Sequence, residues 1–193
     1  MNEKHRDQII RAATSAFMRY GFRRVTMSDL AAEAGISRPT LYAAFANKEE
    51  VFNAVARELM EQALAEIRER VAGPGSVAEK LEQVFEIWVV RAYELVHQSP
   101  DARELLECTQ AFSQDVIDRA YGELETLLAS VIAPHAAAGT DPKQVAHTLA
   151  LSARGIKENA RDLDDLRRSL AALVALTGGT LSSSQPAPAY DPT

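Results

Sequence analysis

An all-α chain is what this sequence predicts: an N-terminal three-helix domain followed by a larger helical domain, about nine helices in total. Three observations carry that expectation. Apolar residues recur at helical spacing along most of the chain. The breaks between these stripes hold cap and stop residues, such as Thr26 with Asp29, Gly35, Asn47 with Glu50, and Asp141-Pro142. No run alternates polar and apolar residues as a half-buried strand does, and no internal repeat is present.

The first helix is expected from about Lys4 to Tyr20, with Ile9, Ile10, Ala13, Ala16, Phe17 and Tyr20 on one stripe. Gly21 takes the left-handed stop position, and Phe22 folds back on Phe17 as the apolar contact of a Schellman end. Thr26 with Asp29 resembles a capping box and opens the second helix, which stops at Gly35. Ser37 opens the third, with Pro39 tolerated in the first turn. Because a residue before proline avoids the helical region, Arg38 is an alternative cap. Asn47 with Glu50 opens a long fourth helix to about Val71, on the stripe Val51, Phe52, Val55, Leu59, Ala63 and Ile67.

Ser76 with Glu79 caps a fifth helix carrying Val77, Leu81, Val84, Phe85, Trp88, Ala92 and Leu95, closed by Ser99-Pro100. A short helix over about Asp101 to Thr109 follows, and Ser113 starts a seventh, broken by Pro134. The last two are expected over about 142 to 160, with a cap at Asp141, and about 162 to 177. The Ser/Pro/Gly-rich end of the chain reads as a disordered tail. Domain limits follow at 1–46, 47–178 and 179–193.

At 193 residues, 47% apolar and 25% charged, the chain has the composition of an ordinary globular protein with room for a core. Cys108 is the single cysteine and cannot pair within the chain. The first twenty residues carry six charges instead of an apolar signal core, and no stretch is long enough to span a bilayer. A cytoplasmic protein is the expectation. Charge is unevenly placed: residues 1 to 47 hold seven Lys/Arg against four Asp/Glu, a net +3, and the remainder carries −9. A basic head on an acidic body suits a polyanionic partner for the head, against the alternative of a chance fluctuation in surface charge.

"DLAAEAGISRPTLYAAFANKEEVF", Asp29 to Phe52, concentrates the chemistry. Helix, glycine corner and second helix in about twenty residues is the layout of a helix-turn-helix. Leu30, Ala31, Ala34, Ile36, Leu41 and Phe45 would form its shared core. The face one residue round from Leu41 and Phe45 then presents Arg38 and Tyr42, with Pro39 and Ala43 beside them, a combination suited to a major groove. Lys48 sits in the first turn of a helix, facing the positive end of the dipole. Two readings stay open for it: a phosphate clamp made with free backbone N–H groups and the Tyr42 hydroxyl, or a solvated surface residue beside a half-buried tyrosine.

Residues of about 7 to 52, in the order "II.AA..AF...GF..VTM.DLA.EAGIS..TLY..F.NKEE.F", resemble the N-terminal domain of tetracycline-repressor-like (TetR/AcrR) transcriptional regulators. The resemblance implies that the third helix enters the major groove of double-stranded DNA. Carried over by position, Arg38, Pro39 and Thr40 fall at base or groove contacts, and Thr26, Tyr42 and Lys48 at phosphate contacts. Ala43 and Ala44 depart from the larger residues common there, which puts side-chain readout from those two positions in doubt.

For the rest of the chain the resemblance implies a helical domain that binds an effector and dimerises through its last two helices on a palindromic operator. The pattern offers candidates. Leu163, Leu166, Leu170 and Leu173 follow a 3-4-3 spacing suited to a helix–helix seam, and Ala146, Ala150 and Ala153 permit close approach. An ordinary intramolecular core stripe reads the same way. Trp88, Arg91, Tyr93, His97, Cys108, Phe112 and Tyr121 are candidates for touching a small, mainly apolar effector, with plain core positions as the alternative. No sequence neighbour supplies a cation to lower the Cys108 thiol, so a buried residue fits better than a redox sensor.

An enzyme is disfavoured. His5, His97, His135 and His147 lack metal-ligand spacing, and nothing assembles a nucleophile with a base and an orienter. No metal or cofactor is expected. The expected function is a DNA-binding repressor released by a small molecule; the alternatives are a regulator or adaptor without small-molecule control of DNA binding, and a helical adaptor that binds no DNA.

Overall fold

The computed structural model describes residues 3–97, Glu104, Cys108 and 111–182. Among these the chain is helical throughout, without strands. The helices are α1 (Glu3–Tyr20), α2 (Met27–Glu33), α3 (Arg38–Ala44), α4 (Lys48–Ala72), α5 (Val77–Phe85), α6 (Arg91–His97), α7 (Gln114–Ile132), α8 (Pro142–Asn159) and α9 (Leu163–Ser182). A π turn, Glu86–Val90, joins α5 to α6, and a short 3-10 turn, Ala133–His135, follows α7. The helix expected over 101 to 109 lies outside the described residues apart from Glu104 and Cys108. The expected start of the tail does not coincide with a helix end, because α9 continues through Gly178 and Gly179 to Ser182; residues 183–193 lie outside the described residues.

The chain forms two compact units, residues 1–66 with 91–122, and residues 67–90 with 123–193. The core of the first joins Ile9, Ile10, Ala13 and Phe17 of α1 to Leu30 of α2, Leu41 of α3, and Val51 and Phe52 of α4. Cys108 is buried in the same cluster. Three phenylalanines stack at its centre: Phe22 lies 5.6 Å from Phe17 and 5.1 Å from Phe52, both between ring centroids. Such tilted and edge-on pairs add stabilisation beyond the area they bury. In the second unit, α9 packs against α5 and α8, and both α8 and α9 meet the π turn.

Cap chemistry explains where the helices begin and end. Ser76 accepts from the Glu79 N–H while the Glu79 carboxylate accepts from the Ser76 N–H, a complete capping box at α5. At α4 the box is displaced by one residue. Asn47 accepts from the Glu50 N–H, but the Glu50 carboxylate reaches back to the Ala46 N–H. Gly21 at φ 75° ends α1 as expected, with its N–H on the Phe17 carbonyl at 2.9 Å, the single bond of the αL motif. The Schellman pattern occurs instead at α2. There Ile36 N–H reaches the Ala31 carbonyl and Gly35 N–H the Ala32 carbonyl, both at 3.0 Å.

The fifth helix departs from its expected stripe. Leu81, Val84 and Phe85 are buried as the spacing requires, but the following buried residues are Ile87, Val89, Val90 and Tyr93, not Trp88, Ala92 and Leu95. The π turn takes up one extra residue and so moves the buried face by one position.

Candidate nucleic-acid interface

The helix-turn-helix is built by α2, the Gly35 corner and α3. Ser37 is the N-cap of α3, accepting from the Thr40 N–H at 3.2 Å, so Arg38 is the first helical residue and Pro39 the second. That arrangement suits a residue without a backbone donor. Leu41 and Phe45 are buried behind the helix, and Leu30, Ala31 and Ala34 complete the small core. Ile36 and Ala44 pack on it partly buried. Gln8 of α1 donates to the Ala34 carbonyl at 2.7 Å, tying the corner to α1.

Arg38, Pro39, Thr40, Tyr42 and Ala43 therefore lie on the exposed side of α3. Tyr42 is 54% exposed, high for an aromatic residue. Among the described residues the side chains of Arg38 and Tyr42 have no hydrogen-bond partner. Two other candidates are occupied locally. The Thr40 hydroxyl lies 2.7 Å from that of Ser37, and the Thr26 hydroxyl donates to Asp29 at 2.7 Å within the α2 capping box. Those bonds from Thr26 hold the Asp29 carboxyl below its usual range, with Arg38 adding a smaller pull in the same direction.

Lys48 has a more specific position than either reading of the sequence supplied. Its ammonium donates to the carbonyls of Phe22 and Val25, each at 2.8 Å, and lies 4.2 Å from the centroid of the Phe22 ring. It thus fastens the loop between α1 and α2, bridging 26 and 23 residues of chain. An ammonium has three donors, so one N–H is left over. The misplaced charge in the first turn of α4 was the one sequence signal of this. Its partners are backbone carbonyls and leave no trace in residue types.

The seven effector candidates do not gather in one place. Trp88 belongs to the second unit and is half-buried in the π turn; the other six belong to the first. Arg91 makes two hydrogen bonds to Glu66, at 2.7 and 3.1 Å. His97 stacks on Tyr93 at 3.9 Å and bonds the Tyr93 carbonyl, while Tyr93 itself is buried. Cys108 is in the core behind the helix-turn-helix, and the exposed Phe112 touches Phe22 at 5.5 Å. Tyr121 is half-buried on α7. A groove of about 290 Å³ in the second unit, between Arg68 and Val71 on α4, Lys80 on α5 and Val131 on α7, includes none of the seven.

The candidate dimer residues are corrected in the same way. Ala146, Ala150, Ala153, Leu166 and Leu170 are buried within one chain, where α8 and α9 pack together and on their neighbours, so they offer no surface to a second copy. Leu163 and Leu173 are half-buried. The 3-4-3 stripe is the intramolecular core that the same spacing also allows. The large apolar residues these two helices expose are Leu151, 55% exposed, and Leu176, 71%.

Comparison with known proteins agrees with this architecture. Residues 9–55 match the description "Bacterial regulatory proteins, tetR family". An HTH-type transcriptional regulator of Bacillus subtilis, YezE, is 30% identical over 78 residues, a stretch that spans 40% of either chain. Among solved structures, SmeT, the repressor of the Stenotrophomonas maltophilia multidrug efflux pump SmeDEF, shares the fold at a TM-score of 0.63 and 20% identity, over 97% of this chain and 96% of its own. FadR of Thermus thermophilus, a TetR-family repressor in complex with lauroyl-CoA, does so at a TM-score of 0.57 and 20% identity, over 97% of this chain and all of its own. With the helix-turn-helix formed by the matched residues and a helical fold shared along nearly the whole length, the chain belongs to the tetR family of bacterial regulatory proteins.

Proposed function

We propose that this chain is a DNA-binding transcriptional repressor that acts as a homodimer on a palindromic operator and is released by a small-molecule effector. The observation that carries the DNA reading is the face of α3, where Arg38, Pro39, Thr40 and Tyr42 are exposed while Leu41 and Phe45 hold the helix from behind. A guanidinium suits base edges such as those of guanine, and the small residues Pro39, Thr40 and Ala43 let the helix backbone come close. Tyr42 and the remaining Lys48 donor take phosphates, which fixes register without reading sequence. Thr26 joins them if its hydroxyl turns away from Asp29.

A two-fold dimer follows from geometry, since one short helix reads one half-site and two must lie roughly 34 to 36 Å apart. The exposed Leu151 and Leu176 support α8 and α9 as the surface that meets the second copy. Effector control is supported by the composition of the first unit. Residues 91–122 belong to the same compact body as the helix-turn-helix. Glu104 accepts from the Arg23 N–H at 2.6 Å, and Phe112 rests on Phe22, next to the loop that Lys48 fastens. A ligand that displaced this downstream segment would disturb that loop. SmeT and FadR, both repressors and one holding an acyl-CoA, show that the fold carries such control elsewhere.

Footprinting on the DNA upstream of the protein's own coding region tests the reading. Two protected half-sites related by symmetry, about one helical turn apart, are expected. Absence of any protected site at concentrations where the protein binds bulk DNA would remove the operator from the account.

A further inference from the structure

The helix from Val77 to His97 carries two apolar faces where one would suffice. In the structure the face continuing from Leu81, Val84 and Phe85 consists of Ile87, Val89, Val90 and Tyr93, all buried. This holds because the π turn Glu86–Val90 contains one residue more than an α turn. Without that turn, an uninterrupted α-helix would advance each following residue by about 100°. Trp88, Ala92 and Leu95 would then fall in line with Leu81, Val84 and Phe85, while Val90 and Tyr93 would turn outward. In the structure Trp88 and Ala92 are half-buried and Leu95 is exposed. Both sets are apolar, so either register buries a continuous stripe.

We propose that Glu86–Val90 is a register switch, in which a π form that buries Val90 and Tyr93 exchanges with an α form that buries Trp88, Ala92 and Leu95. Two ion pairs flank the turn and hold the π form. Glu86, its first residue, accepts from both terminal nitrogens of Arg167 at 3.2 Å, and Arg91, the residue after it, bonds Glu66 through two nitrogens. The α form brings Arg91 toward the buried stripe and breaks the second pair. That makes it the minor state in the absence of a bias. A ligand that packs on Trp88 in only one register shifts the exchange by its differential affinity and by nothing else. The switch is a property of this helix and stands whether or not such a ligand controls DNA binding.

Trp88 is the sole tryptophan, so its indole N–H gives one resolved signal. Relaxation-dispersion NMR on the full chain reads exchange on the microsecond-to-millisecond scale. The wild type is expected to show dispersion at that signal, from a minor form populated between about 0.1 and 10%. Leu95→Lys places a charge that is harmless in the π form, where position 95 is exposed, but would be buried in the α form. It should abolish the dispersion while leaving the melting temperature nearly unchanged. Val90→Thr places a hydroxyl in the core of the π form only, and should raise the minor population about tenfold. A flat wild-type profile, or dispersion of equal amplitude in Leu95→Lys, would overturn the switch. So would a minor population in Val90→Thr that did not rise.

Discussion

Replacing Lys48 with alanine separates three accounts of this residue, because they differ in sign. A solvated lysine in the first turn of a helix opposes the dipole, so its removal would leave stability unchanged or raise it by about 0.3–1 kcal/mol. The observed geometry requires the opposite. Hydrogen bonds to a charged group contribute about 1.5–3 kcal/mol each, toward the lower end where water reaches the site. Lys48 makes two of them, and its position over Phe22 adds about 0.5–1 kcal/mol. Water can satisfy the freed carbonyls in part, so the expected loss for Lys48→Ala is about 2–3 kcal/mol. Urea denaturation reads this as a lower midpoint at constant slope. DNA affinity is then measured where the variant remains folded. If the third N–H also meets a phosphate, the slope of log affinity against log salt falls in magnitude by about 0.9. An unchanged urea midpoint would refute the loop-fastening role, and an unchanged salt slope would remove the phosphate contact alone.

The other expectations concern assembly, core and pH. Leu176→Glu and Leu151→Glu should give folded monomers by sedimentation, whereas Leu166→Glu should unfold the chain, since Leu166 is buried within it. Leu41→Ala, at a fully buried position, should cost about 2–5 kcal/mol and abolish DNA binding with it, read by denaturation and gel shift. Hydrogen bonds and charge from Arg161 hold the Asp165 carboxyl at about 2, against an ordinary 3.8. A depressed acid contributes stability above its unfolded value and loses it as pH falls through the folded one, so the melting temperature should drop between about pH 4 and pH 2. Asp165→Asn should flatten that part of the profile.

Local chemistry made much of this fold legible. Thr26 with Asp29, Ser76 with Glu79, and Gly21 and Gly35 mark helix ends because caps and left-handed stops need particular residue types within a few positions. The helix-turn-helix core was readable for the same reason: Leu41 and Phe45 lie four apart on one short helix. Three features were not legible, each for a physical cause. A π turn is one residue of slippage with no residue signature, so the stripe through Trp88, Ala92 and Leu95 looked continuous. Lys48 bonds to backbone carbonyls, which every residue carries. Leu166 and Leu170 recur as a seam between two chains would, but spacing alone does not say whose helix is the partner. Cys108 read rightly as a buried residue, yet the core it joins belongs to the unit that contains the helix-turn-helix.

The central claim is that the exposed face of α3 reads DNA sequence, and a ratio of two affinities tests it most directly. Fluorescence anisotropy at one fixed salt concentration gives the dissociation constant for the operator and for a scrambled duplex of equal length. The wild type should prefer its operator by about a thousandfold or more. Arg38→Ala, which removes a base-reading group and leaves the buried face intact, should weaken operator binding by about 1–3 kcal/mol while scarcely changing the scrambled duplex. If Arg38→Ala weakened both duplexes equally, Arg38 would be a phosphate contact. If the wild type bound both alike, α3 would not be the reading helix.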